Sequence, residues 1–149
     1  MIPRWHVFYG AIFSILLWVV APNIGLFNLI LVFLSSVFID LDHYISAVKQ
    51  NRSLNPFKAF RYYDKLTLEI AKKHKKGIRM REPHFHVFHT IEFHILIALL
   101  GLIWTPFFYI FIGMTFHSLL DVYSLMKDDY LYLREYFFFN WLRRSFEND

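Results

Sequence analysis

The sequence predicts an all-α fold, a four-helix transmembrane bundle made of two helical hairpins, and three observations carry that expectation. Residues 5–39 and 93–120 contain no Asp, Glu, Lys or Arg. A proline-containing turn breaks each window once near its middle, at Ala21-Pro22-Asn23-Ile24-Gly25 and at Thr105-Pro106. The chain is 56% hydrophobic and 21% aromatic with mean hydropathy +0.35, more apolar than a soluble domain, which is about half apolar. Its 149 residues suit one domain. There is no Cys, which excludes a disulfide-stapled module, thiolate catalysis and Cys-ligated zinc.

A spanning helix needs about 20 apolar residues. Proline lacks the donor a helix interior requires and disfavours the helical region for the residue before it. Each window is therefore read as a helix pair, Ile2–Val20 with Ile24–Ser46 and His84–Trp104 with Pro106–Ser124. Two long kinked helices are the alternative. A soluble bundle would need polar helix faces, and Ala11–Val20 and Leu96–Trp104 offer almost none. Val19-Val20-Ala21-Pro22 lacks the small-x-small pattern of a cleaved signal peptide.

The remaining segments complete the expected domain, residues 1–149. Residues 44–92 carry eleven Lys or Arg against four acids. The positive-inside tendency keeps this side in the cytoplasm, so two hairpins make a multi-pass cell-membrane protein with both termini cytoplasmic. In the linker, residues 44–83, Pro56 opens a stretch running to Ala71 with apolar and basic residues at helical spacing, followed by Lys72-Lys73-His74-Lys75-Lys76. That pattern suits a helix lying on anionic lipid headgroups, the expected partner. Nucleic acid is not expected. The tail, residues 125–149 with Phe137-Phe138-Phe139, reads as an aromatic interfacial element or a lid.

On this topology the ionisable groups of all four helices fall at one level. His6 starts the first helix and Asp40, Asp42 and His43 end the second. His84, His86, His89, Glu92 and His94 start the third, and His117 and Asp121 end the fourth. Ionisable groups at membrane depth cost about 2.5–3.5 kcal/mol at the centre, so they pair, face cavities and serve functions. His117 and Asp121 are i,i+4 and share a helical face, as do Asp40 and His43 at i,i+3, whereas Asp42 points elsewhere on an unbroken helix. His86 and His89 are i,i+3, yet His84 and His86 read more readily as loop residues. His89 and His94 diverge by about 140° on a regular helix, so both reach one cavity only if His89 precedes or begins it. Gly10, one turn after His6, would admit a neighbouring helix closely. Imidazole and carboxylate without thiolate suit a divalent metal, zinc first and manganese or iron as alternatives. The strongest ligand candidates are His89, His117, Asp40 and His43, with Asp42 or Asp121 as general base or orienting group and Glu92 as an outside candidate base.

Four segments resemble, in order, the motifs of the YdjM-like family of predicted membrane-bound metal-dependent hydrolases. They are His6-Val7-Phe8-Tyr9-Gly10, Phe38-Ile39-Asp40-Leu41-Asp42-His43, His89-Thr90-Ile91-Glu92-Phe93-His94 and His117-Ser118-Leu119-Leu120-Asp121. The resemblance implies that His6, Asp40, Asp42, His43, His89, His94, His117 and Asp121 bind metal or act beside it. This chain departs from the family pattern at Ile39, where a Pro is usual, at Thr90-Ile91, where Arg-Gly is usual, and at Phe93, where Thr is usual. The expected function is hydrolysis of an ester or phosphoester of a lipid or membrane-associated substrate by a metal-activated water at the cytoplasmic face. The alternative is a non-catalytic membrane protein that binds or senses metal. Polar residues are too few in the outer helix halves, where Ser14, Asn23 and Asn28 stand nearly alone, for a transport pathway.

Overall fold

The computed structural model describes residues 3–81 and 83–147. Ile2, where the first helix is expected to begin, lies outside the described residues, as do Met1, Glu82 and the last two residues of the tail. The described residues form an all-α fold of seven helices without strands: α1 Pro3–Val20, α2 Leu26–Phe38, α3 Leu41–Asn51, α4 Pro56–Lys75, α5 Ile91–Ile103, α6 Thr105–Lys127 and α7 Phe138–Glu147. Short 3-10 turns at Val87–His89 and Leu131–Leu133 precede α5 and α7.

The punctuation of the sequence explains most of these bounds. Ala21–Gly25 turns the chain between α1 and α2. Asn55 accepts from the Phe57 amide at 2.9 Å, with Pro56 in the first turn, to start α4. The Thr90 side chain accepts from Phe93 N to start α5, and Pro106 sits in the first turn of α6. Two expected spans change shape. The second is interrupted at Ile39-Asp40 and continues as α3 to Asn51. The third starts at Ile91 rather than His84, because Thr90 provides the cap and residues 83–86 are irregular.

By length and composition, Leu26–Asn51 and Thr105–Lys127 could each cross a membrane, while Trp5–Val20 and Ile91–Ile103 are shorter apolar helices. α6 is the central element, packing against α2, α5 and α1. Gly113 makes the α2 contact possible, since a Cβ there would overlap the Val32 carbonyl and Ser35 Oγ. At Gly10 on α1 a Cβ would overlap Ser36 Oγ of α2, so the close approach read at that glycine is made.

The buried residues are as much polar as apolar: His6, Ser36, Asp42, His86, His89, Thr90, His117 and Asp121 are buried, while many large apolar side chains, Val19, Leu26, Leu102 and Ile103 among them, are largely exposed. A small apolar core of Ile39, Ile97 and Met114, flanked by Phe88, Phe93 and Phe107, lies beside this polar interior. α4 packs on α3, and its basic end is held to the tail by His74 Nδ1 and Tyr132 Oη at 2.8 Å. The tail closes over the same end of the bundle: Ile91 N donates to the Tyr136 carbonyl at 2.9 Å, Arg81 meets Glu135 at 3.0 Å, and Phe85 stacks on Trp141.

Candidate metal centre

α2 arrives at this end of the bundle, α5 leaves from it and α6 returns to it, so residues far apart in sequence meet. Asp40 at the α2–α3 junction, His89 just before α5, and His117 and Asp121 on α6 each offer one ligand atom, all within 4.8 Å of one another. His89 Nε2 and His117 Nε2 are 3.4 Å apart, and each lies 3.4 Å from Asp40 Oδ1. Asp121 Oδ2 is 3.5 Å from His117 Nε2 and 3.9 Å from His89 Nε2. Zinc–ligand bonds of about 2.0–2.1 Å in a tetrahedron put neighbouring ligand atoms about 3.3–3.4 Å apart. The cluster has nearly that spacing.

The outer nitrogens determine what faces inward. His117 Nδ1 donates to the Ser36 carbonyl at 2.8 Å, and a carbonyl can only accept. His89 Nδ1 lies 3.3 Å from Asp42 Oδ2, which also accepts from Phe88 N at 3.1 Å. Both imidazoles therefore carry a proton on Nδ1 and turn Nε2 towards the other and towards two carboxylate oxygens. Buried carboxylates gathered at one point need positive charge beside them, from a protonated imidazole, a guanidinium or a metal ion. The arrangement can hold a metal ion, and the donor set fits one. Outer partners that fix the tautomer and orientation of ligating histidines are a regular part of such sites.

Asp42 is the main departure from the helical spacing. On an unbroken helix it faces away, but the interruption at Ile39-Asp40 rotates α3 so that Asp40 and Asp42 both turn inward. Asp42, His43 and His86 form a second group able to hold a metal. Its members are close: His86 Nδ1 is 3.6 Å from Asp42 Oδ1, and the His43 and His86 rings stack with centroids 3.5 Å apart. His43 Nε2 also lies 3.7 Å from Asp40 Oδ1, so the two groups adjoin.

Three expected site residues occupy other positions. His6 stacks on His117 and reaches the second oxygen of Asp121 at 3.2 Å, beside the four-atom cluster rather than in it. His94 donates from Nδ1 to the Thr90 carbonyl at 2.9 Å and meets Ser118 Oγ at 3.1 Å through Nε2. Both its nitrogens are thus engaged away from the cluster, because α5 begins at Ile91 and carries His94 round the helix. Glu92, the outside candidate base, accepts from the amides of Phe138 and Phe139 at 2.9 and 3.4 Å and so anchors the start of α7.

Two further residues contribute. His86 lies in the loop expected of it, where Pro83 and Val87 are exposed, but its own side chain is buried, and its spacing of three from His89 is the signal of that approach. Arg134, from the tail, donates from Nη1 to Asp121 Oδ2 at 2.7 Å and brings positive charge to the cluster. It is one basic residue within an aromatic segment, with no spacing to mark it. Tyr136 follows; burial raises its phenol above the ordinary value, keeping the hydroxyl protonated. His84 is paired with Tyr62 of α4, which carries the linker into the surroundings of the site.

A scan of protein-family models finds no match to this chain, and neither curated proteins nor solved structures yield one.

Proposed function

We propose that this protein is a membrane-bound, divalent-metal-dependent hydrolase, with zinc the first candidate and manganese or iron alternatives, acting on an ester or phosphoester of a lipid or membrane-associated substrate. The observation that carries the reading is the convergence of Asp40, His89, His117 and Asp121, with both imidazoles turned to present Nε2. Three of the four segments that resemble YdjM-like motifs supply these four residues, and His6 of the remaining one stacks on His117. The proposed setting is a multi-pass four-helix bundle of α1, α2–α3, α5 and α6, with both termini and the site at the cytoplasmic face. Its support is the exposed apolar side chains, the two long apolar helices, and the basic α4 beside the site, which would hold anionic lipid headgroups.

In this reading Asp40, His89, His117 and Asp121 hold the cation. A divalent metal there would supply Lewis acidity and, with a position open beyond the four side chains, a water whose pKa falls toward about 7. Ser36 and Asp42 keep the two imidazoles oriented. Arg134 offers positive charge to a developing oxyanion.

The test is turnover by the full chain, purified in detergent with metal restored, of lipid analogues bearing a carboxylic ester, a phosphomonoester or a phosphodiester. Turnover of at least one, reduced a hundredfold or more by His89→Ala, is the expected result. Metal-loaded protein that turns over none of the three would overturn the hydrolase reading in favour of a metal-binding or sensing role.

A further inference from the structure

A groove of about 600 Å³ runs between α5 and α6, and two polar side chains meet on its wall. His94 of α5 and Ser118 of α6 both line it, with His94 Nε2 3.1 Å from Ser118 Oγ. Beyond this pair the walls are apolar, with Ala98 and Leu99 on α5 and Phe108 on α6. Phe108 lies ten residues before Ser118 on α6, about 15 Å of helix at 1.5 Å per residue. That is the hydrocarbon depth of one leaflet, about half the bilayer core, so one apolar chain fits along α6 with its polar end at Ser118.

The hydrogen bonds of the pair set its polarity. His94 Nδ1 donates to the Thr90 carbonyl at 2.9 Å, and a carbonyl can only accept, so the neutral ring carries its proton on Nδ1. Its Nε2 is then an acceptor, and the Ser118 hydroxyl donates to it. The residue that orients the ring is itself fixed: Thr90 is buried, and its N–H and hydroxyl both donate to the Val87 carbonyl, at 3.1 and 2.8 Å. A serine inside a helix commonly returns its hydroxyl to a carbonyl of the preceding turn, as Ser14 does to Gly10 and Ser145 to Trp141. Ser118 is bonded to an imidazole instead. A hydroxyl bonded to a histidine whose other nitrogen is held by a third group is the arrangement that activates a serine nucleophile.

A further hydroxyl lies beside it. Thr115 lines the same groove, and its Oγ1 is buried without a hydrogen-bond partner among the described residues. Residues three apart on a helix share a face, which leaves an uncommitted donor next to Ser118.

We propose that Ser118 and His94 form a metal-independent acyl-transfer site that hydrolyses single-chain carboxylic esters, with the acyl chain lying along Ala98, Leu99 and Phe108. Ser118 Oγ bonds to the ester carbonyl carbon as its proton moves to His94 Nε2, and the Thr115 hydroxyl donates to the carbonyl oxygen as that oxygen gains charge. The bond from carbon to the alcohol oxygen then breaks, the alcohol leaves with the proton from His94, and the acyl group stays on Ser118. Water adds to the acyl carbon and gives a proton to His94 Nε2, which returns it to Ser118 Oγ as the fatty acid departs. One ester and one water become one acid and one alcohol. The site goes beyond the metal reading and does not rest on it, since none of its three side chains belongs to the four-residue cluster.

The test is reaction of the full chain in detergent with a fluorophosphonate bearing a dodecyl chain, read by peptide mass spectrometry, with turnover of 4-nitrophenyl dodecanoate and metal content measured on the same samples. Ser118 is expected to be the modified residue, and both labelling and turnover are expected to survive removal of metal by a chelator. Ser118→Ala and His94→Gln are each expected to lower turnover a hundredfold or more with metal content unchanged, and Thr115→Val to lower it at least tenfold. Ala98→Phe, which fills the groove, is expected to slow labelling at least tenfold. Circular dichroism establishes that each variant is folded. Unaltered protein that is not labelled at Ser118, undiminished turnover in folded Ser118→Ala, or unchanged labelling in folded Ala98→Phe would overturn the proposal. Loss of labelling and turnover on removing metal from protein that stays folded would also overturn it, and would assign the ester chemistry to the metal cluster.

Discussion

His117 on α6 donates from Nδ1 to the carbonyl of Ser36 on α2 at 2.8 Å, joining two helices that are eighty-one residues apart at this point. The bond turns Nε2 towards Asp40, His89 and Asp121. One helix–helix contact therefore sets both the packing of the bundle and the chemistry of the cluster.

That coupling predicts the behaviour of Gly113, one turn before His117, where α2 and α6 are closest. Gly113→Val forces the helices apart and is expected to cost about 1–3 kcal/mol, as overpacking commonly does, and to weaken metal binding as well. Gly101→Ala, close to the Phe108 backbone at the opposite end of α6, is expected to lower stability while leaving metal affinity as it was. Thermal unfolding and chelator competition on the two variants separate these effects.

Asp42 orients His89 without being one of the four cluster atoms. Asp42→Asn is expected to lower metal affinity roughly 10–100-fold, the usual effect of losing such an outer partner, with unchanged stoichiometry at saturating metal. A loss of stoichiometry would instead make Asp42 a ligand.

Glu92 is predicted to be a structural cap. Glu92→Ala is expected to speed amide exchange at Phe138 and Phe139 and to cost about 1 kcal/mol, as loss of a cap does, with metal content retained. Hydrogen exchange resolved over residues 136–141 reads the first effect, and loss of metal in this variant would contradict the placement of Glu92.

The proposed topology is testable without background because the chain has no Cys. Single cysteines at Asn23, in the α1–α2 turn, and at Lys75, at the end of α4, are expected to be labelled from opposite sides of a sealed vesicle. Labelling of both from one side would contradict the two-hairpin arrangement.

The helices were legible because charge and proline are local signals. Residues 5–39 and 93–120 could hold nothing but apolar segments, and Pro22 and Pro106 divided them. The meeting of His89, His117, Asp40 and Asp121 was legible for a similar reason, since hairpins return chemistry-bearing ends to one level. The break at Ile39-Asp40 was not, because neither Pro nor Gly marks it, and with it went the direction of Asp42. The condition set for His94 is met, since Thr90 caps α5 and leaves His89 outside the helix, but its side chain bonds Thr90 and Ser118, a choice that no spacing records. Arg134 and His86 lie on segments folded back over the site by contacts such as Phe85 on Trp141, and no periodicity in the chain records a contact of that kind.

The central claim is that Asp40, His89, His117 and Asp121 hold one divalent ion. Elemental analysis of the full chain, purified in detergent without chelators, tests it beside His117→Ala and His94→Ala. The account predicts about one equivalent of divalent metal in the unaltered chain and in His94→Ala, and near-complete loss in His117→Ala. Unaltered protein without metal, or equal metal in all three, would contradict it.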